Sequence, residues 1–332
     1  MKKAISILLC LMTLCACVPA MATDVASEPF VSCPAVEYTG DISALAWAEY
    51  LEEGDVVGEP NPDALEYYAK YMELYDDFVY VNENTEVGDL NYYVYDPVAH
   101  GFDPNEAYPV SIWFHGGGNN TLGKLAMVAG GAASFACDEY QQEIGGMYII
   151  VPIAGPGGWN VGTVNAIKGM LDNVKASHRT TDELIVCGTS AGGMMVNNWL
   201  EQYAYMTDIV FQMSCYLPTI ATIQKYSDMG IQMWYEVALH DYAYDLRFPD
   251  GLGIEGYDGI ENFSYTVFEW IRWGNGMIAT LGPNDSIDGQ HCSCVQVLRN
   301  LIQDDGTPDD PTHPDGVTGY FRDALAKIRE AE

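Results

Sequence analysis

Apolar runs of strand length alternate with helix-period segments over most of this chain. Residues 108–114 (YPVSIWF), 146–152 (GMYIIVP), 183–187 (ELIVC), 208–215 and 232–239 are short, apolar and rich in β-branched and aromatic side chains, the signature of strands buried on both faces. Between them, residues 132–143, 163–177, a segment carrying Met194, Met195, Trp199 and Leu200, and residues 219–226 place apolar side chains at helical spacing. Strands alternating with helices need crossover connections. The expected fold is therefore α/β, a mostly parallel central sheet of about eight strands flanked by helices. Shorter β-like segments precede it at 78–82 and 90–95. Ahead of these, residues 42–52 and 62–76 read as amphipathic helices. The second carries Leu65, Tyr68, Met72 and Tyr75 on one face, with Pro62 near its start. Such a stripe reads as a packed face rather than a sugar-binding surface. The helices suggest a small N-terminal appendage over residues 23–77, ahead of a main domain over 78–332. Near the C-terminus, residues 317–328 read as a terminal helix, and 295–302 fit either a last strand or, from 294, a helix.

One junction stands out. The run ELIVC enters Gly188-Thr189-Ser190-Ala191-Gly192, and the apolar-periodic helix begins at once. A serine forced onto a strained strand-to-helix turn needs neighbours without side chains, and Gly188 and Gly192 supply them. A bare G-x-S-x-G arises by accident roughly 0.2 times in a chain of this length, so the pentapeptide alone is weak. A second element strengthens it, because the strand 108–114 runs directly into His115-Gly116-Gly117-Gly118.

With both pieces present, the sequence resembles the α/β-hydrolase superfamily. It is most similar to secreted carboxylesterases of the feruloyl-esterase and poly(hydroxybutyrate)-depolymerase-like group, whose elbows read much like Gly-Thr-Ser-Ala-Gly-Gly-Met. The resemblance begins near residue 90 and leaves the N-terminal part unexplained. It implies a serine esterase with Ser190 as nucleophile and an oxyanion hole from the backbone N–H groups of Ala191 and Gly117, with Gly118 as a further donor. His115 would support the glycine loop. The superfamily's chain order is serine, acid, histidine. For the acid, Asp245 with Pro249 four residues on fits the family spacing, although the loop before it looks one residue long; Asp241 is the alternative. Of six histidines, only His291 and His313 follow either acid. His313 is the favoured base, with 295–302 read as the last strand and 317–328 as the helix after it. His291 is the alternative, which requires 294–302 to be helical and makes the weak segment 277–281 the preceding strand. Pocket residues are expected near Trp159-Asn160 and in the loop 242–257.

Composition adds compartment. Residues 1–22 combine Lys2 and Lys3, an apolar stretch and Ala20-Met21-Ala22, the pattern of a secretory signal peptide. Leu14-Cys15-Ala16-Cys17 allows a lipoprotein reading, with the membrane engaged only through an acylated Cys17. The net charge of −33 becomes more negative still when Lys2 and Lys3 are removed. Such a field repels nucleic acid and favours solubility. Six cysteines remain outside the signal (Cys33, Cys137, Cys187, Cys215, Cys292, Cys294), enough for up to three disulfides, although Cys187 inside the elbow strand reads as a packed thiol. No second pair accompanies Cys292 and Cys294 at metal spacing, and ester hydrolysis by a serine needs no metal or organic cofactor. The expected partner is a small-molecule or glycan ester, with feruloyl or acetyl esters of plant polysaccharide foremost; oligomeric state is open. Two other readings stand. One is a prolyl-oligopeptidase-like peptidase, for whose usual propeller nothing before residue 108 is long enough. The other is a catalytically silent hydrolase-fold binding protein.

Overall fold

The computed structural model describes residues 29–34, 48–49, 62–85, 88–121, 123, 126–127, 131–273, 276, 278–279, 290–291, 293–302 and 305–331. Eight strands form one sheet: β1 (Phe78–Thr85), β2 (Gly88–Tyr95), β3 (Tyr108–Phe114), β4 (Tyr148–Ile153), β5 (Thr180–Thr189), β6 (Ile209–Met213), β7 (Gln232–Ala238) and β8 (Phe263–Phe268). Their spatial order is β1-β2-β4-β3-β5-β6-β7-β8. The β1–β2 hairpin is antiparallel, and β2 runs antiparallel to β4. Every later pairing is parallel, as crossover helices require.

Side chains alternate across each strand, so each strand feeds two cores. Trp113, Ile149, Cys187, Phe211 and Trp234 pack on one face with Phe321 and Leu325 of the C-terminal helix. Ile112, Phe114, Val186, Val210 and Met233 pack on the other with Ile167, Met195, Trp199 and Ile223. Helices cover both faces: α1 (Pro62–Glu73), α2 (Asp138–Ile144), α3 (Val161–Ser177), α4 (Ala191–Tyr203), α5 (Ile220–Asp228) and α6 (Gly316–Ala331). Continuous apolar runs in β3 and β4 follow directly, since neither face of those strands meets water.

Several expectations change. Residues 48–49, expected within a helix, form a short strand antiparallel to Ile278–Ala279; the rest of 42–52 lies outside the described residues, as do the signal segment and Cys17. Of the weak segment 277–281, the described residues 278–279 pair in this ribbon and not in the eight-stranded sheet. The eighth strand is instead β8, a stretch not expected to be extended. Residues Ser293–Arg299 form a 3-10 helix, which removes the last strand proposed at 295–302. The helix expected over 132–143 is broken at Cys137, whose extended backbone separates a 3-10 turn (Ala132–Ala136) from α2. Among the described side chains of α1, Tyr71 is buried and Leu65, Tyr67 and Met72 pack against the same core; the side chains of Tyr68 and Tyr75 lie outside those described. Among the described cysteines, Cys33, Cys137, Cys187 and Cys215 are free thiols. Cys187 is fully buried in β5. No helix among the described residues is long and apolar enough to cross a membrane.

The tightest packing lies where α4 begins. A Cβ built on Gly192 would fall 2.0 Å from the Phe114 carbonyl oxygen, and one on Gly188 2.5 Å from the Gly192 oxygen. Both obstacles are backbone, so neither can step aside. Gly192→Ala is expected to cost about 3 kcal/mol or more, read as a lower urea midpoint at unchanged slope. Gly157→Ala, where a Cβ meets nothing within 4 Å, should leave the midpoint in place. Equal midpoints would contradict the packing described.

Candidate active site

β5 delivers Ser190 at the carboxyl end of the sheet with φ 52° and ψ −118°, a backbone conformation L-residues avoid. Neighbouring bonds hold it there. The Ser190 N–H donates to the Met213 carbonyl of β6 (2.9 Å), and its own carbonyl accepts from Met194 N (3.1 Å), opening α4. Gly193 completes the turn, because a Cβ there would meet the Cys215 side chain at 2.5 Å. The strain is thus imposed by packing on three sides.

The loop after β3 lies against this turn. A Cβ on Gly117 would sit 3.7 Å from the Ala191 Cβ, and Gly118 takes φ +80°, which glycine alone adopts freely. His115 anchors the loop. Its Nδ1 lies 2.8 Å from the Gly116 oxygen, and its Nε2 accepts the Ala154 N–H at 3.1 Å. That acceptor role assigns the proton to Nδ1. Burial lowers the imidazole's pKa to about 4, against the opposing pull of the Gly116 carbonyl, so near neutral pH His115 is an uncharged structural brace. Trp159 adds to the brace, donating its indole N–H to the His115 oxygen (2.8 Å) with its ring 4.7 Å from the imidazole. Asn160, expected beside a pocket, caps α3 by accepting the Thr163 N–H (3.2 Å). Trp159 is half-buried and Asn160 exposed.

His291 reaches Ser190 from 101 positions further along the chain. Its Nε2 lies 2.7 Å from Ser190 Oγ, and its Nδ1 lies 3.0 Å from Asp241 Oδ2. Asp241 sits in the turn that follows β7. Its N–H donates to the Ala238 carbonyl, its own carbonyl accepts from Tyr244 N, and its Oδ1 accepts the Ala243 N–H at 2.9 Å, an Asx-type turn that fixes the side chain. The carboxylate has no solvent exposure. Burial disfavours its charge, but hydrogen bonds from His291, Arg247 and Ala243 outweigh that effect and hold its pKa below the ordinary value. An imidazole hydrogen-bonded in this way can take the hydroxyl proton on Nε2 while its Nδ1–H stays with the carboxylate.

Asp245 and His313 are not part of this chain of contacts. Asp245 lies on the exposed side of a 3-10 turn (Tyr244–Arg247), one turn beyond the acid. His313 sits at the other end of the strands. Its ring lies 4.0 Å from that of Trp234, its Nε2 lies 3.2 Å from Ser264 Oγ, and it lines a groove of about 300 Å³ with Gln232, Asp323 and Lys327. Burial lowers its pKa, with Asp310 and Asp323 opposing. The physical reason is topological: with no strand at 295–302, nothing returns His313 to the carboxyl edge. Arg247, not anticipated from sequence, is instead at the centre, donating through Nη2 to both Asp241 oxygens (2.7 and 2.6 Å) and through Nη1 to the Ser214 carbonyl. Around the opening lie exposed Tyr242, its ring 5.0 Å from that of His291, and half-exposed Tyr216 and Met194.

No family model and no curated protein matches the sequence. Among solved structures the chain is similar to a thermostable esterase, with a TM-score of 0.53 and 14% identity over 68% of this chain and 60% of that one. It is also similar to the feruloyl esterase module from Clostridium thermocellum (TM-score 0.46, 15% identity, 67% of this chain and 87% of that one). A third similarity is to the ferric enterobactin esterase from Salmonella typhimurium (TM-score 0.43, 13% identity, 67% and 57%). The chain thus spans 60% of the length of the thermostable esterase it matches. The strand order and the likeness to that esterase together give this chain the α/β-hydrolase fold.

Proposed function

We propose that this protein is an exported serine hydrolase that cleaves carboxylic esters through an acyl-enzyme, with Ser190 as nucleophile, His291 as base and Asp241 as the acid that orients it. The observation that carries this reading is the pair of contacts on one imidazole, 2.7 Å to Ser190 Oγ and 3.0 Å to Asp241 Oδ2. A serine hydroxyl is a weak nucleophile near neutral pH unless a neighbouring base accepts its proton. In the first step Ser190 Oγ attacks the ester carbonyl while its proton passes to His291 Nε2. The tetrahedral oxyanion is met by the Ala191 N–H and by N–H groups of Gly117 and Gly118. Collapse expels the alcohol, which takes the proton from Nε2. Water then attacks the acyl-serine with His291 again as base, and the acid product leaves. Every proton in this cycle moves between Ser190, His291, water and the substrate, so the chemistry runs on the chain's own residues.

Export is supported by the character of residues 1–22, and an acidic surface suits a protein that works in dilute solution. For substrate class, the rim favours an aromatic acyl group. Exposed Tyr242 lies beside His291, exposed Met194 stands on the first turn of the helix after Ser190, and the Tyr216 ring lies against Arg247; offset or edge contacts of aromatic rings are worth about 0.5–1.5 kcal/mol each. Hydroxycinnamoyl esters, as on plant polysaccharide, fit that surface.

Fluorophosphonate labelling and hydrolysis of short nitrophenyl esters test the triad. Ser190→Ala should abolish labelling, while His291→Ala and Asp241→Asn should each lower kcat by about 10³-fold or more. His313→Ala and Asp245→Asn should stay within about threefold of the parent. Loss of activity on changing His313, with His291 dispensable, would overturn the assignment.

Substrate class is read separately, by comparing feruloyl and acetyl esters in the parent and in Tyr242→Ala. A drop of about 3- to 10-fold in kcat/KM for the feruloyl ester alone is expected. An equal change for both esters, or faster cleavage of prolyl amides than of either, would refute the aromatic-ester reading.

A further inference from the structure

A buried cation is costly, and this chain has 14 lysines and arginines against 47 acids. Arg247 is nonetheless almost fully enclosed, with its side chain 2% exposed beside a carboxylate at 0%. Its contacts span three elements of the site. Nη1 donates to the carbonyl of Ser214, a residue at φ 45° just past β6. Nη2 bridges both oxygens of Asp241, after β7, and lies 2.9 Å from Nδ1 of His291. Two donors cannot bond each other, so the Nδ1 proton and the guanidinium share the Asp241 carboxylate. The Tyr216 ring closes the outer side, 5.8 Å from the guanidinium carbon.

We propose that Arg247 is a positioning residue of the triad: it fixes the Asp241 carboxylate relative to the strand ends and, by offsetting that carboxylate's charge, limits how readily His291 takes up a proton. The proposal rests on the Ser190–His291–Asp241 reading above. An unopposed buried carboxylate would favour the imidazolium strongly. A fixed positive charge at the same distance, Arg247 Nη2 at 2.9 Å against Asp241 Oδ2 at 3.0 Å, opposes that attraction.

The other described groups packed against the pair leave that balance to Arg247. Burial pushes the Cys215 thiol up to about 12, with Arg247 opposing. Burial likewise raises the Tyr235 hydroxyl and the Glu236 carboxyl well above their ordinary values. In all three, burial disfavours the charged form. Ser214 and Ser293, hydroxyl to hydroxyl at 2.8 Å, and the Tyr242 ring carry no charge there. Asp245 and Tyr244 lie on the same 3-10 turn as Arg247; Asp245 faces solvent, where water screens it.

The test is the pH dependence of kcat/KM for a nitrophenyl ester, whose acid limb reports the free enzyme's base. In Arg247→Gln the limb should move to higher pH by about one unit, with KM little changed because Arg247 does not line the opening. Arg247→Lys keeps the charge but cannot span Ser214 and both carboxylate oxygens; its kcat should fall while its limb stays near the parent's. A structural role alone would lower kcat in both variants with no displacement, and that result overturns the proposal.

Should Arg247→Gln fail to fold, removing both buried charges together avoids an orphan. Residual hydrolysis by Asp241→Asn should then show its acid limb about one unit below that of the Asp241→Asn, Arg247→Gln double variant. Coincident limbs would refute the idea. Fluorophosphonate labelling of Ser190 in the parent separates the two failures: absence of labelling sinks the esterase reading, whereas normal labelling with unmoved limbs sinks only the role of Arg247.

Discussion

The backbone of α4's first turn is pressed against the end of β3 so closely that no side chain fits between them. Gly192 abuts the Phe114 and His115 carbonyls, and Gly188 abuts Gly192. This contact sets more than local conformation. It forces Ser190 to φ 52°, which lifts its side chain clear of the helix it precedes. It also brings Ala191 beside Gly117, so the Ser190 hydroxyl and the backbone N–H groups of both loops are referenced to the same pair of strands. β3 and β5 are themselves in register up to Phe114 and Gly188, leaving little freedom for the two loops to drift apart. Preorganised donors work because they do not have to move when charge develops.

Burial sorts the histidines into different roles. His115 is enclosed and bonded on both ring nitrogens to backbone, and it stays neutral because burial outweighs the carbonyl beside it. His313 leans on Trp234 and Tyr320, away from the carboxyl edge. His291 is partly open, 18% exposed, with an acid on one nitrogen and a hydroxyl on the other. Only the last combines access for substrate with a proton partner on each side, which is what a general base needs.

What was legible in the sequence was whatever a few consecutive residues determine. The elbow, the His115 loop and the alternation of strands and helices are local patterns, and β3 has the bounds its composition suggests. The acid and base are long-range properties. Asp245 matched a spacing to Pro249, but the chain closes its turn four residues earlier, where the Asp241 side chain caps Ala243 N–H. The choice between His291 and His313 hung on whether 295–302 is a strand, and a run with Val295, Val297 and Leu301 fits either period. Here β8 mattered most. Its sequence FSYTVF is aromatic and β-branched, a strand by composition, and recognising it would have removed the need for a last strand before His313. Arg247 also left a trace: a lone arginine between Leu246 and Phe248 in an acid-rich chain is a candidate for burial against a carboxylate.

Electrostatics as well as geometry suits Asp241 to the role proposed for it. The carboxylate must remain charged while shut away from water, and a buried charge is stable only if its lone pairs are occupied. At Asp241 three donor atoms make four contacts: the Ala243 N–H, the His291 Nδ1–H, and Arg247 Nη2 to both oxygens. Asp245 lies on the exposed face of its turn, where water would screen any hold it had on an imidazole. Two strand positions before the end of β7, Glu236 marks how dry the neighbouring interior is, since burial pushes its carboxyl well above the ordinary carboxylate range. In such surroundings a single fixed cation acts strongly over a few ångströms. Arg247 and Asp241 are thus best understood as one unit: the arginine makes a charged acid tolerable in a dry site, and the acid in turn justifies burying the arginine.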